Sequence, residues 1–419
     1  MDKIVIKGGK QLNGEVNVST AKNSILPIMA ASILSSDKCI IDSAPMLEDV
    51  FVMSDVLKSI LSDIEIDRYT NRLIIGTSNI KDCEPSGELV KKMRASFLLM
   101  GSMLSRFGRF KISFPGGCNI GTRPIDLHLK GFSALGAEIN IGHGYVEAQA
   151  KKLIGSKVYL DFPSVGATEN IMMAAVMAEG ETIIENAAEE PEIDDLGSFL
   201  NEMGANVIGA GTDTIRIIGA KSLKGAIHKP IYDRIEAGTF MIAAAITRSK
   251  IKINGINEEH LKPIIAKLTE AGVEIKVDGT SAFVDADRQL KPIDIKTMPY
   301  PGFPTDMQSQ MTGLLCTVRG TSMVTETIFE NRFMHATELK RMGASIKIDG
   351  RSAVVEGVDR LTGAEVRATD LRAGAALILC GLVAEGETNV VDIYHVDRGY
   401  VNIEKKLRGL GAEIERISV

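Results

Sequence analysis

One pattern recurs six times along the chain and limits what it can fold into. An apolar residue, two variable residues, a second apolar residue, usually Gly-Ala, one more variable residue and Ile or Val begins at Leu57, Phe132, Leu200, Leu268, Leu339 and Leu407. The spacings are 75, 68, 68, 71 and 68 residues, so six units fill the 419-residue chain. A fixed period makes each unit one supersecondary element that needs neighbours to cover its apolar face. The pattern reads as a helix that ends on a glycine C-cap and opens a strand. The copy at Leu57 is the weakest, because Leu61 and Ser62 replace Gly-Ala.

Each unit also holds an earlier helix of small and apolar residues, such as Ile171 to Ala178 or Ala375 to Ala384, followed by a turn and a strand. A helix apolar on most sides is a buried helix, so this α/β chain should place these helices inside, covered by their sheets. Six units suggest two lobes of three, which agrees with a length beyond the size of one core. The segment Gly225 to Pro230 is the linker candidate, and ligands of two-lobed proteins favour the interlobe cleft.

Alignment on the turn exposes a second regularity. Fourteen residues before Ser36, Gly108, Gly180, Thr247, Gly320 and Gly386 stand Lys22, Arg94, Gly166, Asp233, Asp306 and Arg372, all near the start of the buried helix. A cation there opposes the helix macrodipole by about 0.3–1 kcal/mol. Three cations at equivalent places, together with helix N-terminal N–H groups, predict anion sites; the plainer reading is that long side chains simply reach solvent. Asp233 reads as an ordinary helix cap. In the second helix, Arg123 and Arg398 both lie nine residues before the repeated pattern, pairing with Arg94 and Arg372 of the same units.

The stretch from Pro115 to Leu127 sets Cys118 among Gly116, Gly117 and Gly121, with Arg123 five residues on. A thiol in a cation-bearing, partly exposed loop has a lowered pKa, whereas buried thiols are inert. Cys39, Cys316 and Cys380 lie in apolar runs and Cys83 in a polar loop, so packing or plain exposure accounts for them. The glycines suggest a lid over residues 112–122 that closes on a ligand.

Composition removes several classes. Five cysteines without a Cys-x-x-Cys pair argue against a disulfide framework and for a reducing compartment. A net charge of −6 and no Trp give no support to a nucleic-acid partner. The start Met1-Asp2-Lys3 lacks a secretion signal and no run is long enough to span a membrane, so a soluble cytoplasmic protein is expected. His128, His143, His228, His260, His335 and His395 show no metal-ligand spacing. Neither a P-loop nor a dinucleotide fingerprint appears, so no nucleotide cofactor is indicated. Oligomeric state is left open.

Thr20 to Ser24, Met93 to Ser96, the Cys118 loop, Ser164 to Thr168, Gly302 to Asp306 and Thr369 to Ala373 closely resemble the UDP-N-acetylglucosamine enolpyruvyl transferase family, almost from end to end. The resemblance implies a two-lobed inside-out α/β barrel of six βαβαββ-type repeats, three per lobe. It implies that the segment to about Val18 joins the C-terminal lobe, giving lobes of residues 19–229 and of 1–18 with 230–419. It implies transfer of enolpyruvyl from phosphoenolpyruvate to the sugar 3-hydroxyl, the first committed step of peptidoglycan synthesis, with release of phosphate and no cofactor.

Residue by residue, the resemblance implies Cys118 as general acid toward C3, with covalent capture of C2 as a further role, and Asp306 as the base for the sugar hydroxyl. Lys22, Asn23, Arg94, Arg123, Arg372 and Arg398 would hold phosphoenolpyruvate, with Lys22 and Arg398 also catalytic. Asn23, Arg94, Arg123, Pro124, Ile125, Asp126, Leu127, Ser164, Val165, Gly166, Asp306 and Ile328 would hold the nucleotide sugar. Pro124 and Asp126 also read as ordinary helix-start residues. Phe162 departs from the family, where some members carry a lysine for the nucleotide. Rival readings are a 3-phosphoshikimate enolpyruvyl transferase, a thiol peroxidase on Cys118, and a non-enzymatic sugar-nucleotide binder.

Overall fold

The computed structural model describes residues 2–80, 83–114 and 125–418. Chain contacts divide it into two compact units, one of residues 2–19 and 232–418, the other running from Thr20 to Ile231. Among the described residues each unit carries three sheets and three buried helices. The fold is α/β with helices inside and sheets outside.

The helices are α1 (Lys22–Ala31), α2 (Leu99–Phe107), α3 (Val165–Ala175), α4 (Arg234–Ile246), α5 (Gln308–Leu315) and α6 (Leu371–Gly381). They are buried along most of their length because small residues let them pack against one another. Gly101 shows how close: a Cβ there would meet the Asn170 carbonyl oxygen at 2.2 Å, so only glycine lets α2 lie on α3. The strands are short and alternate buried with exposed side chains, as a sheet with one wet face requires.

Five sheets share one plan, in which a parallel edge strand flanks three antiparallel ones. Asn13–Asn17 is the parallel edge beside Lys250–Asn254, and Ile227–His228 that beside Cys39–Ile41. Asp2–Lys7 lies antiparallel between Glu387–Val391 and Glu413–Ser418, so the first strand completes a sheet of the last residues. The sixth sheet, Arg109–Ser113 with Tyr145–Gln149 and Glu138–Gly142, has three strands. Among the described residues, Lys111 N–H of this sheet donates to the Cys83 carbonyl.

Candidate functional site

The repeated position near each buried helix is where the chemistry gathers, and the two units are loaded differently. In the unit of residues 20–231, Lys22 opens α1 and its Nζ lies 2.7 Å from Asp49 Oδ2, with the side chains 13% and 3% exposed. A cation at a helix N-terminus is locally unfavourable; the buried carboxylate offsets it. Asp49 sits in the first turn of helix Glu48–Lys58, where an Asp reads as a routine helix-start charge, which is why the sequence did not single it out. Asn23 is half-buried beside Lys22.

Arg94 begins the 3-10 turn Arg94–Leu98, which packs on α1. Nearby stands His128, on helix Asp126–Ala134. Burial, with the charge of Arg94 adding to it, pushes the His128 pKa down to about 4, so the ring is neutral at neutral pH. A neutral ring has one accepting nitrogen, and here Nδ1 accepts from Asn170 Nδ2 at 2.9 Å. Asn170, wholly buried on α3, also donates to the Phe97 carbonyl at 3.1 Å and accepts from Gly101 N–H at 2.8 Å. One amide thus ties together the turn that carries Arg94, α2 and the helix of His128.

Gly166 faces the same ring: a Cβ there would lie 3.2 Å from His128 Cε1. Ser164 caps α3, its hydroxyl accepting from Ala167 N–H at 3.4 Å, and Val165 is the first helical residue. Ile125 is buried, Asp126 exposed in the first helical turn and Leu127 half-buried. Phe162 is 46% exposed. The structure therefore brings Arg94, Gly166 and the helix of Asp126 and Leu127 into one neighbourhood. Cys118, Arg123, Pro124 and the glycine loop read as a lid, apart from residues 112–114, lie outside the described residues. Cys39, Cys83, Cys316 and Cys380 are buried; burial raises the thiol pKa of Cys39, of Cys380 and of Cys316, the last to about 12, which makes these three thiols unreactive.

In the unit of residues 2–19 and 232–418, Asp306 lies in the turn Thr305–Met307 that leads into α5. Its Oδ1 accepts from Arg332 Nη2 at 2.9 Å and its Oδ2 from Arg372 Nη2 at 2.8 Å. Burial alone would raise the carboxyl pKa; Arg372 and then Arg332 outweigh it and hold it well below the usual carboxylate range. Arg372 Nη1 also meets Tyr400 Oη at 3.4 Å, and that hydroxyl lies 2.8 Å from Thr239 Oγ1 and 3.2 Å from Gln310 Nε2. The guanidinium is thereby held from behind by buried polar groups.

One expectation fails at α6. The N–H groups of Arg372 and Ala373 are not open to an anion, because Asp370 Oδ1 accepts both, at 2.8 and 3.0 Å; its carboxylate already supplies the negative charge that the helix start favours. Asp233 is the plain cap of α4, accepting from Ile235 and Glu236 N–H. Ile328 N–H donates at 2.8 Å to Glu326, whose other oxygen accepts from Thr305 Oγ1 next to Asp306. Arg398 ends the short helix Tyr394–Asp397; burial and then the charge of Arg398 lower the pKa of His395. Arg332 stands at no repeated position, and no local pattern marked it. Among the described residues no cluster of three or more His, Cys, Asp or Glu could hold a metal ion, and no helix is long and apolar enough to cross a membrane.

Chemically, Asp306 is an ionised acceptor flanked by two fixed cations, and Lys22, Arg94 and Arg372 are cations held at helix starts. In each unit by itself, cations fixed at helix starts are groups that can meet an anion.

Known proteins resemble this chain over its whole length. The family described as EPSP synthase (3-phosphoshikimate 1-carboxyvinyltransferase) matches residues 6–407. The chain is 75% identical over 417 residues to UDP-N-acetylglucosamine 1-carboxyvinyltransferase 2 of Clostridium tetani, and 68% identical to UDP-N-acetylglucosamine 1-carboxyvinyltransferase 1 of Clostridium acetobutylicum, each match covering 100% of both chains. Among solved structures it resembles the enolpyruvyl transferase NikO of Streptomyces tendae, with a TM-score of 0.90 at 24% identity over 100% of this chain and 99% of that one. EPSP synthase of Acinetobacter baumannii gives 0.78 at 20% identity with full coverage of both.

Proposed function

The chain belongs to the UDP-N-acetylglucosamine 1-carboxyvinyltransferase family and transfers enolpyruvyl to UDP-N-acetylglucosamine, and we propose that Cys118, Asp306 and the cations at the helix starts carry the reaction. Phosphoenolpyruvate bears a carboxylate and a phosphate, and its C2 becomes electrophilic only when C3 is protonated. Lys22, Arg94, Arg123, Arg372 and Arg398 bind the two anionic groups, each charge-assisted contact contributing about 1.5–3 kcal/mol. Cys118 delivers a proton to C3, and the sugar 3-hydroxyl adds to C2 as Asp306 takes its proton. Loss of a C3 proton then expels phosphate and leaves the enolpyruvyl ether. Asn23, Ile125, Asp126, Leu127, Ser164, Val165, Gly166 and Ile328, with Arg123 and Pro124, hold the nucleotide sugar.

The observation that supports these roles best is Asp306 clamped between Arg332 and Arg372. Held well below the usual range, the carboxylate stays ionised and can accept a proton only as the hydroxyl turns acidic in the addition step. The family model alone describes a transferase acting on 3-phosphoshikimate, but relatives identical at 75% and 68% over full length carry the sugar-nucleotide name, which favours UDP-N-acetylglucosamine as acceptor. The product feeds peptidoglycan synthesis, and the cytoplasm, where phosphoenolpyruvate is made, is the compartment this reading assigns.

Phosphate release from phosphoenolpyruvate, measured with UDP-N-acetylglucosamine and separately with shikimate 3-phosphate, tests the acceptor: turnover with the second alone would overturn it. Mass measurement after exposure to the epoxide fosfomycin, with the nucleotide sugar present, should find one adduct, on Cys118. An unmodified Cys118 would remove the thiol from the mechanism.

A further inference from the structure

A histidine outside both clusters has a carboxylate on each ring nitrogen. His228, 7% exposed on the strand Ile227–His228, places Nε2 3.0 Å from Asp195 Oδ1 and Nδ1 2.9 Å from Glu202 Oε2. An ionised carboxylate only accepts, and a neutral imidazole donates from one nitrogen alone. Both contacts hold together only while the ring is an imidazolium. Asp195 is 5% exposed, and its second oxygen accepts from Ser24 Oγ and, at 3.2 Å, from Ile231 N–H. Ile231 in turn accepts from Ala21 N–H at 2.8 Å. Asp195 thus grips the first turn of α1 twice, through Ser24 and through the segment that holds Ala21, on either side of Lys22 and Asn23.

We propose that Asp195, charge-balanced by the imidazolium of His228, is a positioning residue that sets the start of α1 so that Lys22 and Asn23 meet phosphoenolpyruvate. This rests on the role of Lys22 given above. The groups that face the ring bear it out. Asp195 and Glu202 come from helix Pro191–Glu202, whose Phe199 ring meets the imidazole edge-on at 5.5 Å. From the turn that follows the neighbouring strand, Asp42 donates its N–H to the His228 carbonyl at 2.8 Å and turns its carboxylate to Arg72. Lys229 follows in the chain. Burial alone would lower the imidazole pKa; Asp195 and then Glu202 outweigh it and raise it above the ordinary value. A raised pKa means that the contribution is fully present below about pH 6.5 and fades as pH rises through the folded-state value.

Substitution D195N inverts that dependence, which a merely structural role does not. Asn keeps an oxygen for Ser24 or Ile231 but turns its NH₂ toward Nε2: donor meets donor while the ring is charged, and the bond is restored once the ring is neutral. Steady-state kinetics of the full-length enzyme from pH 6 to 9 should show the KM for phosphoenolpyruvate of D195N about tenfold above wild type at pH 6, converging as pH rises, with kcat changed less. One hydrogen bond to a charged group supports a factor of that order. A ratio that stays flat across pH would overturn the proposal. The milder S24A removes one hydroxyl and should raise the same KM several-fold at every pH; an unchanged KM would also overturn it. Absence of any phosphate release by the wild type would instead sink the reaction assigned to the chain, so the two failures are distinct.

Discussion

Replacing Asp306 by Asn keeps the shape of the side chain and removes the charge that two buried guanidinium groups share. Breaking a buried ion pair by losing one partner costs about 3–5 kcal/mol. Arg332 and Arg372 are 3% and 4% exposed, but the carboxylate is 26% exposed, so water can partly take its place and we expect a loss near the lower bound, about 3 kcal/mol. Loss of a general base lowers turnover by about 10²–10⁴. The two effects separate when phosphate release is followed well below the unfolding midpoint, with circular dichroism at the assay temperature as the control. The denaturant midpoint is the stability readout, because a chain of two units need not unfold in one step.

The pH axis adds a third constraint on D306N. A carboxyl whose folded-state pKa is depressed contributes stability above its unfolded value, about 3.9, and loses it as pH falls through the folded value. The midpoint gap between wild type and D306N should therefore stay constant from pH 8 to 5 and begin to close only below about 4. Turnover within threefold of wild type would refute the base assignment. A gap that already shrinks between pH 7 and 5 would refute the guanidinium clamp.

Two further substitutions read other parts of the structure. In D49N the Lys22 ammonium loses its charged partner at 2.7 Å, so the KM for phosphoenolpyruvate should rise about tenfold or more, in line with the 1.5–3 kcal/mol of a charged hydrogen bond, and titration of initial rates checks it. Leu61 is 55% exposed with φ of 71°, a left-handed backbone that costs a residue with a Cβ about 1–2 kcal/mol. L61G should raise the denaturant midpoint by the equivalent of about 1 kcal/mol, and a lower midpoint would show that the side chain matters more than the strain.

Leu61 also shows what the repeat encodes. Gly136, Gly204, Gly272, Gly343 and Gly411 all have φ between 89° and 103°, and Leu61 holds the same left-handed place in the first unit. The turn is thus a property of the duplicated backbone, legible from five glycines even where the sixth is missing. The starts of the buried helices were legible from the unit's other turn, since a fixed spacing of fourteen residues before Ser36, Gly108, Gly180, Thr247, Gly320 and Gly386 marks Lys22, Arg94, Gly166, Asp233, Asp306 and Arg372. Their partners were not. Ser24 and Asp195 are 171 residues apart, Arg372 and Asp306 66, and Gly101 and Asn170 69; no local rule joins such pairs. Each partner is nevertheless what electrostatics demands at that helix start: Asp49 for Lys22, Arg332 and Arg372 for Asp306, and Lys406, 2.6 Å from Glu236 in the first turn of α4. At the starts of α1, α4, α5 and α6 the scaffold holds buried charges by setting a distant counter-charge against each. The repeat therefore decides where charged groups can sit, and the long-range pairs, absent from any single unit's pattern, decide which of those charges are already met.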